Sequence, residues 1–104
     1  MSSELKIVEE DKADVTTVLL NGEVDIYTSQ NLKEKLYNII ETKKKELEID
    51  CKNLTYIDST GLGIFVGALK KSKQYGSAIK ITNLKDNIKK LFIITGLDKL
   101  FIIG

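Results

Sequence analysis

The chain of 104 residues has no histidine, no proline and only one cysteine, Cys51. Without histidine, the commonest general base and metal ligand, every Ser-His-Asp triad and any phosphohistidine carrier are excluded. A lone cysteine forms no internal disulfide and builds no zinc cage of thiolates; Cys51 reads as a packed free thiol. The lack of proline leaves no proline-rich linker or docking motif. No apolar run approaches the ~20 residues of a membrane span. The opening MSSELKIVEE has neither the basic start nor the hydrophobic stretch of a secretion signal. The expectation is a cytoplasmic protein with no membrane attachment.

A dominant charge is missing too. Sixteen basic and fifteen acidic side chains leave a net charge of +1, without the basic excess of a nucleic-acid binder. An enzyme would have to work with carboxylates and lysines alone, and no constellation of these stands out. No catalytic residue, cofactor or metal is therefore expected. With 42% hydrophobic and 30% charged residues, the composition is that of an ordinary globular protein, and the length suits one domain, residues 1–104.

Two β-branched segments, LKIVEE (5–10) and VTTVLLNGEVDI (15–26), flank the turn-like DKAD and predict a hairpin of strands. Asn21-Gly22 is itself a hairpin signal. Too little strand follows it, however, so a bulge or irregularity at Gly22 is expected instead. Leu32, Leu36, Ile39 and Ile40 form one helical stripe, with Thr28 or Ser29 in the N-cap place and Lys43 to Lys45 as a solvated, dipole-favoured end. ELEIDC (46–51) reads as a strand and KNLT as a turn. Leu62, Phe65, Val66 and Leu69 predict a second helix running to about Tyr75 and stopping at Gly76. SAIKIT (77–82) is a strand. Leu84, Ile88, Leu91 and Phe92 mark a third helix closed near Gly96, and LFIIG (100–104) offers an edge strand. This alternation predicts an α/β fold, a small mixed sheet of four to five strands packed with three to four helices.

The densest chemistry lies at the strand-to-helix junction YIDSTGLGIFVG (56–67). It is no P-loop, because no lysine follows the glycines until Lys70, and no dinucleotide fingerprint, because Gly61, Gly63 and Gly67 are spaced G-x-G-x-x-x-G. It is also no nucleophile elbow, which needs G-x-S-x-G and a histidine. A helix N-terminus with hydroxyls remains, and its first N–H groups have no partner inside the helix. Asp58, Ser59 or Thr60 can cap it, yet one cap needs one residue and three are supplied. Gly63 and Gly67, one turn apart, leave a strip without side chains. That strip suits either internal packing or an accessible docking surface.

These residues resemble a known family. YIDSTGLGIFVG is similar to the signature of anti-sigma factor antagonists of the STAS-domain class. NGEVDIYTSQNLKEKL (21–36) resembles that family's first motif and LFIITGL (91–97) its third, in the expected order and spacing over nearly the whole chain. The resemblance implies a STAS-like fold and a binding switch. The unmodified protein docks on an anti-sigma factor that is also a serine kinase, and so frees a sigma factor. Phosphorylation releases it and a metal-dependent serine phosphatase restores it. By the same resemblance Ser59 is the acceptor and Thr60 its neighbouring hydroxyl. Asp25 is the first-motif aspartate near the acceptor, and Tyr27 and Thr28 sit in the loop shown to the kinase. Asp58, Gly61, Gly63 and Gly67 complete the partner-binding set, on a chain expected to be a monomer. Two other readings stand beside this one: a STAS module regulating a transporter or another signalling assembly, and a small nucleotide-binding protein seating phosphate at the glycines.

Overall fold

A computed structural model describes residues 4–104. Strands β1 (Leu5–Asp11) and β2 (Val15–Val24) form the expected antiparallel hairpin, closed where Lys12 N–H donates to the Val15 carbonyl at 2.9 Å. Then follow α1 (Ser29–Lys43), β3 (Glu46–Ile57), α2 (Ser59–Gln74), β4 (Ile79–Thr82), α3 (Asp86–Thr95), a short 3-10 turn (Leu97–Lys99) and β5 (Ile102–Ile103). The five strands lie in sequence order, β1-β2-β3-β4-β5, and from β2 onward every pair is parallel. Consecutive right-handed crossovers then put all three helices on one face of the sheet.

Alternation along the strands fits this single covered face. Val18 and Leu20, Ile49 and Cys51, and Ile79 and Ile81 point into the core with at most 2% exposure. The helices meet them with Leu32, Leu36, Ile39 and Ile40 from α1, Phe65 and Ala68 from α2, and Ile88 and Phe92 from α3. Phe65, Phe92 and Phe101 form a trio with ring centroids 6.1–6.5 Å apart, in the tilted and edge-on geometry that aromatic rings favour. The opposite sheet face is polar: the Glu48 carboxylate accepts from the Thr17 and Thr82 hydroxyls on its two neighbouring strands.

Two expectations need correction. KNLT is not a turn but the middle of β3, which runs unbroken to Ile57. Its polar residues bridge strands at two register shifts against β2: Asn53 Nδ2 donates to Asn21 Oδ1 at 2.7 Å, and Thr55 Oγ1 to the Gly22 carbonyl at 3.1 Å. Leu91 is 37% exposed, because the core line of α3 runs through Ile88 and Phe92 only. Thr28 occupies the N-cap place of α1 as expected, although its side chain makes no capping bond. The irregularity expected at Gly22 is present: φ is +121°, and any side chain would strike the Glu4 carbonyl, so only glycine fits. Gly76 and Gly96 also take left-handed conformations just past α2 and α3. The final run pairs only through Ile102 and Ile103.

Candidate functional site

β2 and β3 extend beyond β4, whose pairing with β3 ends at Asp50, and continue side by side to Val24 and Ile57. Each of these strands then turns into a helix at the same end of the sheet. That juxtaposition brings the first-motif residues and the junction residues together, as Asp58 N–H donating to the Val24 carbonyl at 3.3 Å records.

The turn from β2 to α1 is closed by its own polar side chains. Asp25 Oδ1 accepts from Tyr27 N–H at 2.8 Å and Thr28 N–H at 3.2 Å. Thr28 Oγ1 donates to the Glu23 carbonyl at 2.8 Å and accepts from Asp25 N–H at 3.0 Å. Asp25 and Thr28 are accordingly buried, while the two residues between them, Ile26 and Tyr27, stand 63% and 77% exposed. The turn therefore divides its labour: Asp25 and Thr28 set its shape and Ile26 and Tyr27 form its surface.

At the other turn Asp58 is the cap. It is extended (φ −109°, ψ −173°), and its Oδ1 accepts from Gly61 N–H at 3.0 Å. Ser59 and Thr60 are thereby relieved of capping: both are exposed, and neither side chain hydrogen-bonds another described residue. Their own N–H groups lie in the first turn, where intrahelical acceptors are lacking. The site thus presents a free hydroxyl at the positive end of a 16-residue helix.

The three glycines do different things. Gly61 is buried, and a Cβ there would lie 2.6 Å from both Val24 Cγ1 and Ile57 Cγ1, so glycine lets the helix tip settle directly on the two strand ends. Gly67 receives the Tyr37 hydroxyl of α1, which is internal packing. Gly63 faces open space with nothing within 4 Å and lies one turn below Ser59 on the exposed side of α2. The bare strip is thus packed at Gly67 and open at Gly63.

Sequence reasoning missed two surface residues here. Ile26 and Tyr56, the latter 47% exposed just before Ile57, add exposed apolar area at the same end of the β2–β3 pair. An isoleucine inside a polar turn was the available signal. Among the described residues no group of three acidic or cysteine side chains converges as a metal site, and no helix is long and apolar enough to cross a membrane. Cys51 lies under the sheet with 0% exposure, and burial, helped by the Asp50 charge, pushes its thiol up to about 12.

The STAS domain model matches residues 6–104. The chain is 44% identical over 80 residues to the anti-sigma-B factor antagonist of Bacillus subtilis, covering 77% of this chain and 72% of that one. In fold it is similar to an anti-sigma factor antagonist from Mycobacterium paratuberculosis (TM-score 0.86, 23% identity, covering 96% of this chain and 85% of that one). It is also similar to the phosphorylated form of the Bacillus cell fate determinant SpoIIAA (TM-score 0.69, 18% identity, 99% and 91% covered). With its mixed five-stranded sheet, its glycine-seated helix tip and a family match spanning nearly its whole length, the chain belongs to the STAS-domain family, as a relative of the anti-sigma-B factor antagonists.

Proposed function

We propose that this protein is an anti-sigma factor antagonist switched by phosphorylation of Ser59. One observation carries the reading: because Asp58 performs the capping, the Ser59 hydroxyl is free and exposed at the tip of α2. The names of the relatives point to the partner, an anti-sigma factor. The record of SpoIIAA in both unphosphorylated and phosphorylated forms supports the modification in this fold.

The physics of the switch follows from position. A phosphate adds about −1.5 to −2 charges and three acceptor oxygens. At a helix N-terminus the free N–H groups and the dipole favour it, so the modified chain keeps its fold. A partner that covers Ser59 must desolvate the same charge beside Asp58, at a cost of several kcal/mol unless it is paired. Each 1.4 kcal/mol is about tenfold in affinity, so two or three such steps abolish the complex. Ile26, Tyr27 and Tyr56 supply the apolar contact around the switch, and Gly63 opens the approach along α2. Asp25, Thr28 and Gly61 act by placing these surfaces. A kinase, which is the anti-sigma factor itself, writes the phosphate, and a serine phosphatase removes it.

The test uses the purified protein, the anti-sigma factor of the same organism, and ATP. Phosphate is expected on Ser59, with release of the modified form, while Ser59→Ala binds and stays bound. Equal capture of modified and unmodified protein, or phosphate on Thr60 and none on Ser59, overturns the proposal.

A further inference from the structure

The near-zero net charge conceals a separation of charge between the two layers. The three helices carry eight lysines against three acids, whereas the five strands carry three lysines against seven acids. On the helical side the excess is concentrated along the seam of α1 and α2. There Lys33 and Lys71 lie over the Tyr37 ring at 5.5 and 5.2 Å, and Lys44 and Lys71 over the Tyr75 ring, each at 5.8 Å. Lys71 is neutralised by Glu41 at 2.6 Å, and Lys43 and Lys45 are held by Asp11. Lys33, Lys44, Lys70 and Lys73 make no ion pair among the described residues. At Lys70 and Lys71 a cavity of about 260 Å³ opens between these lysines, Tyr37, Gly67 and Gln74.

We infer that this lysine–tyrosine ridge is a second contact surface, one that receives an acidic protein surface and steers it toward Ser59. The inference rests on the proposed docking at the Ser59 end. α2 rises about 1.5 Å per residue, so Lys70 lies about 16 Å along the axis from Ser59. A partner footprint of about 800 Å² has a radius of about the same length, which places the ridge at its rim. Rim charges act on the rate of encounter more than on the lifetime of the complex.

The chemistry of the ridge favours an acidic protein over other anions. Single-stranded nucleic acids stack bases on open aromatic faces, and here lysines already cover both tyrosines. Membrane surfaces take up apolar side chains beneath a basic rim, and apart from Tyr75, 40% exposed, the ridge has no exposed large apolar residue. Carboxylates need neither: they pair with free ammonium groups.

The experiment compares the wild type with Lys44→Glu/Lys70→Glu, two exposed ridge positions remote from Ser59, after thermal melting has verified that both are folded. Stopped-flow association with the anti-sigma factor is measured at about 50 and about 500 mM salt. The double reversal is expected to slow association about tenfold at low salt, with dissociation changed less than about twofold, and high salt to remove the difference. Unchanged association rates overturn the ridge. A second arm titrates labelled poly-L-glutamate, duplex DNA and anionic vesicles. Polyglutamate is expected to bind the wild type at least about tenfold more tightly than the variant; tighter binding of DNA or vesicles overturns the assignment to a protein. If the wild type fails to bind the anti-sigma factor at all, the proposed function falls, and the polyglutamate arm still decides the ridge.

Discussion

Asp25 and Thr28 hold each other across the turn that enters α1: Asp25 N–H donates to Thr28 Oγ1 at 3.0 Å, and Asp25 Oδ1 accepts from Thr28 N–H at 3.2 Å. The hydroxyl that looks like a helix cap is spent backward, on the Glu23 carbonyl. This reciprocal pair fixes the direction in which Ile26 and Tyr27 project.

Thr28→Val keeps the side-chain shape and removes the hydroxyl, leaving the Glu23 carbonyl and Asp25 N–H without it. The expected loss is about 1–3 kcal/mol in urea unfolding. Thr28→Ser, which restores the hydroxyl, recovers most of it. Equal stability of the valine variant and the wild type contradicts the bonding described.

Two glycines on α2 make opposite forecasts. At Gly61 a methyl meets two stiff β-branched side chains at 2.6 Å, so Gly61→Ala is expected to cost about 1–3 kcal/mol. At Gly63 it meets nothing, so Gly63→Ala is expected to stabilise by about 0.4–1 kcal/mol through the unfolded chain. If α2 is the docking face, the more stable Gly63→Ala protein binds the anti-sigma factor more weakly. Calorimetric melting and a binding isotherm on the same sample read both effects.

Which parts of this were legible beforehand follows the reach of each signal. The helices and the stops at Gly76 and Gly96 were readable because 3.6-residue periodicity and left-handed glycines are local. The irregularity at Gly22 was readable for the same reason. The passage of β3 through Lys52–Thr55 was not, because what makes those polar residues strand-like is Asn21 and Gly22 on another strand. The roles of Gly61 and Gly67 were hidden likewise: their neighbours, Val24 and Tyr37, lie far away in sequence. Ser59 was legible as a free hydroxyl only in part, since three residues competed for one cap and the geometry gives it to Asp58.

Acid should weaken the tie between the hairpin turn and the end of α1. Lys45, and next Lys43, hold the Asp11 carboxyl below its ordinary 3.8, at about 2. A depressed folded-state pKa gives stability that is present above the unfolded value and lost as pH falls toward the folded one. Asp11→Asn is therefore expected to lower stability slightly at neutral pH and to flatten the decline between about pH 4 and 2. The contribution is small because the group is exposed. Denaturant titrations across that pH range, on both proteins, supply the comparison.

Cys51 should resist alkylation while the protein is folded. Its thiol is fully covered and pushed up to about 12, so almost no thiolate exists at pH 8. Iodoacetamide labelling should appear only as denaturant unfolds the chain, following the loss of circular dichroism. Prompt labelling of the native protein would show that the sheet opens there.

Because β2 and β3 run on past the last residue that β4 reaches, an exposed side chain of this ribbon such as Tyr56 can be exchanged without disturbing the layer beneath, whereas Asn53 is tied to Asn21. What this tip addresses can therefore be rewritten there without rebuilding the chassis that carries it.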